Sequence, residues 1–99
     1  MIKHIVMWKV KGESEAEKAQ AISIIKQALE ALPEKINEII SYEVGVNEIE
    51  SNRAMDLSLV STFQSYQTLD SYKVHPEHQH VVKIVQEHTT ESRVIDYTI

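Results

Sequence analysis

The chain reads as an α+β protein, an antiparallel sheet with its helices on one face. Three observations predict this. Apolar residues alternate in steps of two through Ile2–Val10. A serine-capped segment then carries apolar residues at 3-4-3 spacing. Two more alternating segments follow, close enough in sequence to form a hairpin.

The first strand places Ile2, His4, Val6, Trp8 and Val10 on one face and Lys3, Ile5, Met7 and Lys9 on the other. Apolar residues sit in the middle of both faces, the mark of a strand covered on two sides. Ser14-Glu15-Ala16-Glu17 reads as a capping box, Ser14 capping and Glu17 reaching back. The helix behind it buries Ile22, Ile25, Leu29 and Leu32, and Pro33 helps to end it. A second strand over Ile39–Asn47 aligns Ile40, Tyr42, Val44 and Val46. A third, Asp56–Phe63, aligns Leu57, Leu59 and Phe63 against Asp56, Ser58, Val60 and Thr62. Ser65 caps a short helix over Tyr66, Leu69 and Tyr72. Pro76 suits the first turn of another, reaching about His88, because its missing N–H costs nothing there. Thr89–Ile99 closes with a strand through Val94, Ile95, Tyr97 and Ile99. The order β-α-β-β-α-β is the ferredoxin-like arrangement.

Ninety-nine residues make one domain, 1–99, with a modest core that dimerisation would extend. A formal net charge of −5 with scattered Lys and Arg argues against nucleic acid. No apolar run approaches membrane-spanning length, and Lys3 and His4 interrupt the apolar start, so neither membrane nor signal peptide is expected. The absence of cysteine excludes disulfides, thiolate metal sites and cysteine nucleophiles. The expected location is cytoplasmic.

Chemistry concentrates in Tyr72–His80, where three of the five histidines lie beside a tyrosine and a proline. With His78 at zero and a turn of about 100° per residue, Val81 falls near −60°, Val82 near +40° and Val85 near −20°. His78 therefore lies within the apolar stripe, with His75 at its edge near +60° on the same scale of about 100° per residue. His80 points away, beside Lys83 and Glu87. Two imidazoles on one face fall short of the ligand set zinc demands, and no HExxH pattern occurs, so no metal is expected. His4, on the Val6/Trp8 face, can approach His78 if that face meets the helices.

Each candidate has two readings. His78 is either a core histidine bonded to a backbone carbonyl or to Tyr72, or a general base in an apolar cavity. Tyr72 is either a core aromatic or a hydroxyl that orients a substrate carbonyl. His4 reads foremost as structural, and Trp8 as packing or a cavity wall. The carboxylates Glu13, Glu15, Glu17, Glu34 and Glu38 form a solvated surface. Without a GxSxG elbow or a glycine-rich phosphate loop, hydrolase and nucleotide-binding readings lack support.

Lys3-His4-Ile5-Val6, Asp56-Leu57-Ser58-Leu59-Val60 followed by Thr62-Phe63, the run YKVHPEH from Tyr72 to His78, and Val94-Ile95-Asp96-Tyr97 together resemble the stress-responsive α/β-barrel (Dabb) domain family. The resemblance spans nearly the whole chain. It implies a ferredoxin-like protomer whose open sheet face meets that of a second copy, forming a dimeric α/β barrel. It also implies a pocket between sheet and helices. One member is a plant polyketide cyclase in which a histidine base and a tyrosine close a ring without a cofactor. The base corresponds to His78, the tyrosine to Tyr72, and a supporting histidine to His4. A second supporting histidine falls where this chain has Leu57, removing one polar contact.

The expectation is a homodimer with a small-molecule pocket and no cofactor. Read as an enzyme, it is of cyclase or lyase type and acts on a small carbonyl compound through the His78 base and Tyr72, with His4, Trp8, Leu57, Leu59, His75, Val82 and Val85 as further pocket residues. The alternative is a non-catalytic, stress-responsive binding or protective protein. A monooxygenase of the related antibiotic-biosynthesis type ranks last.

Overall fold

The computed structural model describes residues 1–99. The elements are β1 (Ile2–Val10), α1 (Glu15–Glu30), β2 (Ser41–Val46), β3 (Leu57–Phe63), α2 (Tyr66–Val74), α3 (Pro76–His88) and β4 (Thr89–Thr98). The strands form one sheet in the order β2-β3-β1-β4, every neighbouring pair antiparallel. This is the ferredoxin-like arrangement, with its second helical connection split in two at His75–Pro76.

Local chemistry sets the boundaries. The Ser14 hydroxyl accepts the Glu17 amide, opening α1. That helix closes at Ala31, ahead of Pro33, so Leu32 is buried from the turn beyond it. Ala21 rather than Ile22 completes the fully buried stripe with Ile25 and Leu29. A complete capping box between Ser65 and Thr68 opens α2. Strand β2 starts at Ser41, two residues later than its alternation suggests. Ile40 is half exposed, although its amide already bonds the Thr62 carbonyl.

Helices cover one sheet face. Beneath them lie Ile2, His4, Val6, Trp8 and Val10 of β1, with Leu57, Leu59, Ser61 and Phe63 of β3. The other face is bare. Register aligns Val60, Ile5 and Ile95 in a row across three strands, with Met7 and Tyr97 beside it. Ile95 is 56% exposed. No helix is long and apolar enough to cross a membrane.

Candidate functional site

The site begins at a helix break. Pro76 carries no N–H, so the chain cannot continue α2 in regular hydrogen bonding. The His75 amide turns back to the Tyr72 carbonyl at 3.1 Å. The Lys73 carbonyl, orphaned by the helix end, accepts Nδ1–H of His78 at 3.0 Å and the Gln79 side-chain amide at 2.6 Å. A carbonyl only accepts, so the neutral ring holds its proton on Nδ1 and its lone pair on Nε2. Burial pushes the His78 pKa below the usual 6.5, outweighing the Lys73 bond, which favours the charged ring; nearby His4, His75 and Lys73 charges act in the same direction as burial.

Tyr72 is 1% exposed. Its ring tilts against the His78 imidazole with centroids 4.3 Å apart. Its hydroxyl lies 2.6 Å from that of Tyr42. Burial pushes the Tyr72 phenol up to about 12, with the Tyr42 bond pulling the other way. Burial drives Tyr42 higher still, and Tyr72's charge and hydrogen bond add to the rise. Both are neutral phenols near pH 7.

His4 approaches from β1, its ring 6.3 Å from that of Tyr72. Its Nδ1 contacts the Asp96 carboxylate, and its backbone carbonyl accepts the Ser61 hydroxyl at 3.0 Å. The carboxylate therefore fixes the ring from β4.

These three side chains border a cavity of about 410 Å³ between the sheet and α3. Its apolar wall includes Val6, Leu29, Leu59, Val81, Val82 and Val85, with Trp8 further along β1. The volume is within the roughly 300–1,000 Å³ of small-molecule sites. A wider polar cleft of about 660 Å³ opens at the far end of β1 around Lys9, Lys11, Asn47, Ser51 and Asp56. It holds no histidine or tyrosine, and the Asp56 carboxylate is already taken by the Val10 amide. The smaller cavity is therefore the better site for base chemistry.

Of the residues singled out from sequence, His4, Trp8, Leu59, Tyr72, His78, Val82 and Val85 border this cavity. Two do not. His75 is the N-cap of α3, its Nδ1 accepting the Glu77 amide at 3.1 Å. Its backbone is extended, at φ −62° and ψ 134°, so a helical angle does not apply to it. Leu57 has the correct strand face but lies too far along β3, opposite Trp8 and Val46 and only 2% exposed. His80 is exposed. No three acidic or histidine side chains converge as a metal-holding group.

Sequence reasoning did not single out Tyr42 or Asp96. The alternation of β2 carried a signal for Tyr42, since a phenol on a core-facing position needs a partner. Asp96 carried none, because its approach to His4 depends on a β1–β4 register spanning 92 residues.

The family model for the Stress responsive A/B Barrel Domain (Dabb) matches residues 2–99. A dimeric protein of unknown function and ferredoxin-like fold from Bacteroides fragilis is 33% identical, with a TM-score of 0.87 over 99% of this chain and 95% of that one. Hydroxynitrile lyase from Passiflora edulis has a TM-score of 0.81 at 18% identity, over 99% and 92% of the two chains. An antibiotic biosynthesis monooxygenase has a TM-score of 0.70 at 16% identity, over 100% and 98%. The last two likenesses are of fold alone. No curated protein matches the chain.

Proposed function

This chain belongs to the Dabb stress responsive A/B barrel family, and on that premise we propose that its helix-covered cavity binds a small carbonyl compound and abstracts a proton from it. The observation that carries this reading is the hydrogen bond from His78 Nδ1–H to the Lys73 carbonyl. It leaves Nε2 as the basic nitrogen, on a ring that borders the cavity and resists protonation.

Nε2 takes a proton from the carbon beside the carbonyl, and the C–H electron pair moves to the carbonyl oxygen as an enolate. The Tyr72 hydroxyl hydrogen-bonds that oxygen. The enolate carbon then attacks a second carbonyl of the same molecule, and the resulting alkoxide recovers the proton from His78. Base and product are both neutral at the end. The apolar wall of Val6, Leu59, Val82 and Val85 suits a hydrocarbon-rich, polyketide-like ligand whose chain carries a further carbonyl for the enolate carbon to attack. His4, fixed by Asp96, supports the polar end.

The functional unit in this reading is a homodimer. The dimeric relative from Bacteroides fragilis supports it, as does the bare Val60–Ile5–Ile95 row. Such a row gains apolar burial against a second sheet.

The test is exchange of the central methylene protons of benzoylacetone in deuterated buffer, followed by NMR. The protein accelerates exchange beyond an equal concentration of free imidazole, and His78→Ala lowers that rate by roughly 10²–10⁴-fold. A His78→Ala rate equal to the parent's sinks the assignment of the base.

A non-catalytic binding protein is the second reading. Its support is that Tyr72 and His78 each already hold an internal partner. It calls for no exchange above imidazole, together with a lower melting temperature for Tyr72→Phe.

A further inference from the structure

We propose that Tyr42 is a positioning residue: by donating its hydroxyl proton to Tyr72, it turns the Tyr72 proton toward the cavity and any carbonyl oxygen bound there. The inference rests on the reading of His78 and Tyr72 as a reacting pair, and concerns how the phenol is held.

The two hydroxyl oxygens are 2.6 Å apart, so one proton lies between them and one is free. Two arrangements satisfy that geometry, and they differ in where the free proton goes. If Tyr72 donates, the free proton belongs to Tyr42, which does not border the cavity and has no other side-chain or backbone acceptor. A proton left there finds no acceptor in the protein, and because Tyr42 is only partly buried it turns to solvent and not to a ligand. If Tyr42 donates, the free proton belongs to Tyr72, which does border the cavity. A bound oxygen then receives it. The second arrangement wastes no donor, and it strengthens the Tyr72 O–H as a donor because its oxygen is already accepting.

The rings reinforce this choice. Tyr72 is wedged between Phe63, at 4.8 Å, and His78, at 4.3 Å, so its hydroxyl has little freedom to move. Tyr42 crosses it edge-on at 6.2 Å from β2, an element that contributes no residue to the cavity wall. A ligand lacking an acceptor at this point leaves the Tyr72 proton unpaired. The pair therefore selects for carbonyl or enolate oxygen and against ammonium or hydrocarbon at the same place.

The experiment is a double-mutant cycle on benzoylacetone exchange. Tyr42→Phe lowers kcat roughly tenfold with KM little changed, as expected for loss of one oriented donor's alignment. Tyr72→Phe lowers it at least as far, and adding Tyr42→Phe to Tyr72→Phe changes nothing more. Additive losses, or a parental rate in Tyr42→Phe, overturn the proposal. A second measurement needs neither turnover nor the Tyr42 variant. With all tyrosines replaced by the more acidic difluorotyrosine, fluorine NMR follows each phenol as pH rises. Tyr72, the acceptor, ionises before Tyr42, the donor. Tyr42 ionising first, or the two ionising together, overturns the assignment. Failure of benzoylacetone exchange alone removes the base reading and leaves this titration to decide the proton's direction.

Discussion

The two faces of β1 have opposite fates. His4, Val6 and Trp8 are buried beneath helices, while Lys3, Ile5, Met7 and Lys9 on alternate positions have no cover within the chain. Under the helices, polar groups are few and nearly all paired: His4 with Asp96, Tyr72 with Tyr42, and His78 with a backbone carbonyl. On the bare face an apolar row runs across three strands without any such network. Covering a face demands that each polar group find a partner, and that demand orients the groups for chemistry. A face left apolar and open instead marks a contact surface, and the similar proteins of this fold are described as dimeric.

Three perturbations separate the faces. The largest effect is on assembly. Ile5→Glu puts a charge in the centre of the bare row, and light scattering should report a protomer's mass with an unchanged far-ultraviolet dichroism spectrum. A dimer that persists would show that the row is not the interface. Next is the covered side. Ile25 is completely buried between α1 and the sheet, so Ile25→Ala should cost about 2–5 kcal/mol in a denaturant melt. A loss well under 1 kcal/mol would mean the site collapses around the missing methyls, contrary to the packing described.

The smallest effect is one of pH. Folding lowers the His78 pKa from 6.5, so the unfolded chain binds more protons once pH drops below that value. This group then takes stability away as pH falls from about 6.5 toward the folded pKa, and is neutral in effect at higher pH. Exchange of benzoylacetone should lose rate on an acid limb centred below 6.5. A limb centred above that value would identify another base.

Most of the architecture was legible because it is written in short-range patterns. Alternation marked both faces of β1, Ser14 and Ser65 marked helix starts, and Pro76 marked the first residue of α3. The position of His78 within the Val81/Val85 stripe followed from helical geometry alone. His75 misled because the same rotation was carried one residue past the helix start, where the backbone is already extended. Leu57 misled because a face specifies direction and not distance along the strand. The partners that hold the site came from elsewhere. Tyr42 is 30 residues from Tyr72, and Asp96 is 92 from His4, so both depend on how strands register across the sheet. No local pattern contains that information.

The break between α2 and α3 makes the spacing from Lys73 to His78 matter as much as their identities. One residue more or fewer between Lys73 and His78 would change the span that the hydrogen bond closes and carry the imidazole off its carbonyl and out of the hollow. Substitutions in this stretch alter a single side chain, whereas a change of length moves every side chain after it. The five-residue interval is thus a ruler, and among homologues it should vary less in length than the surface loops do.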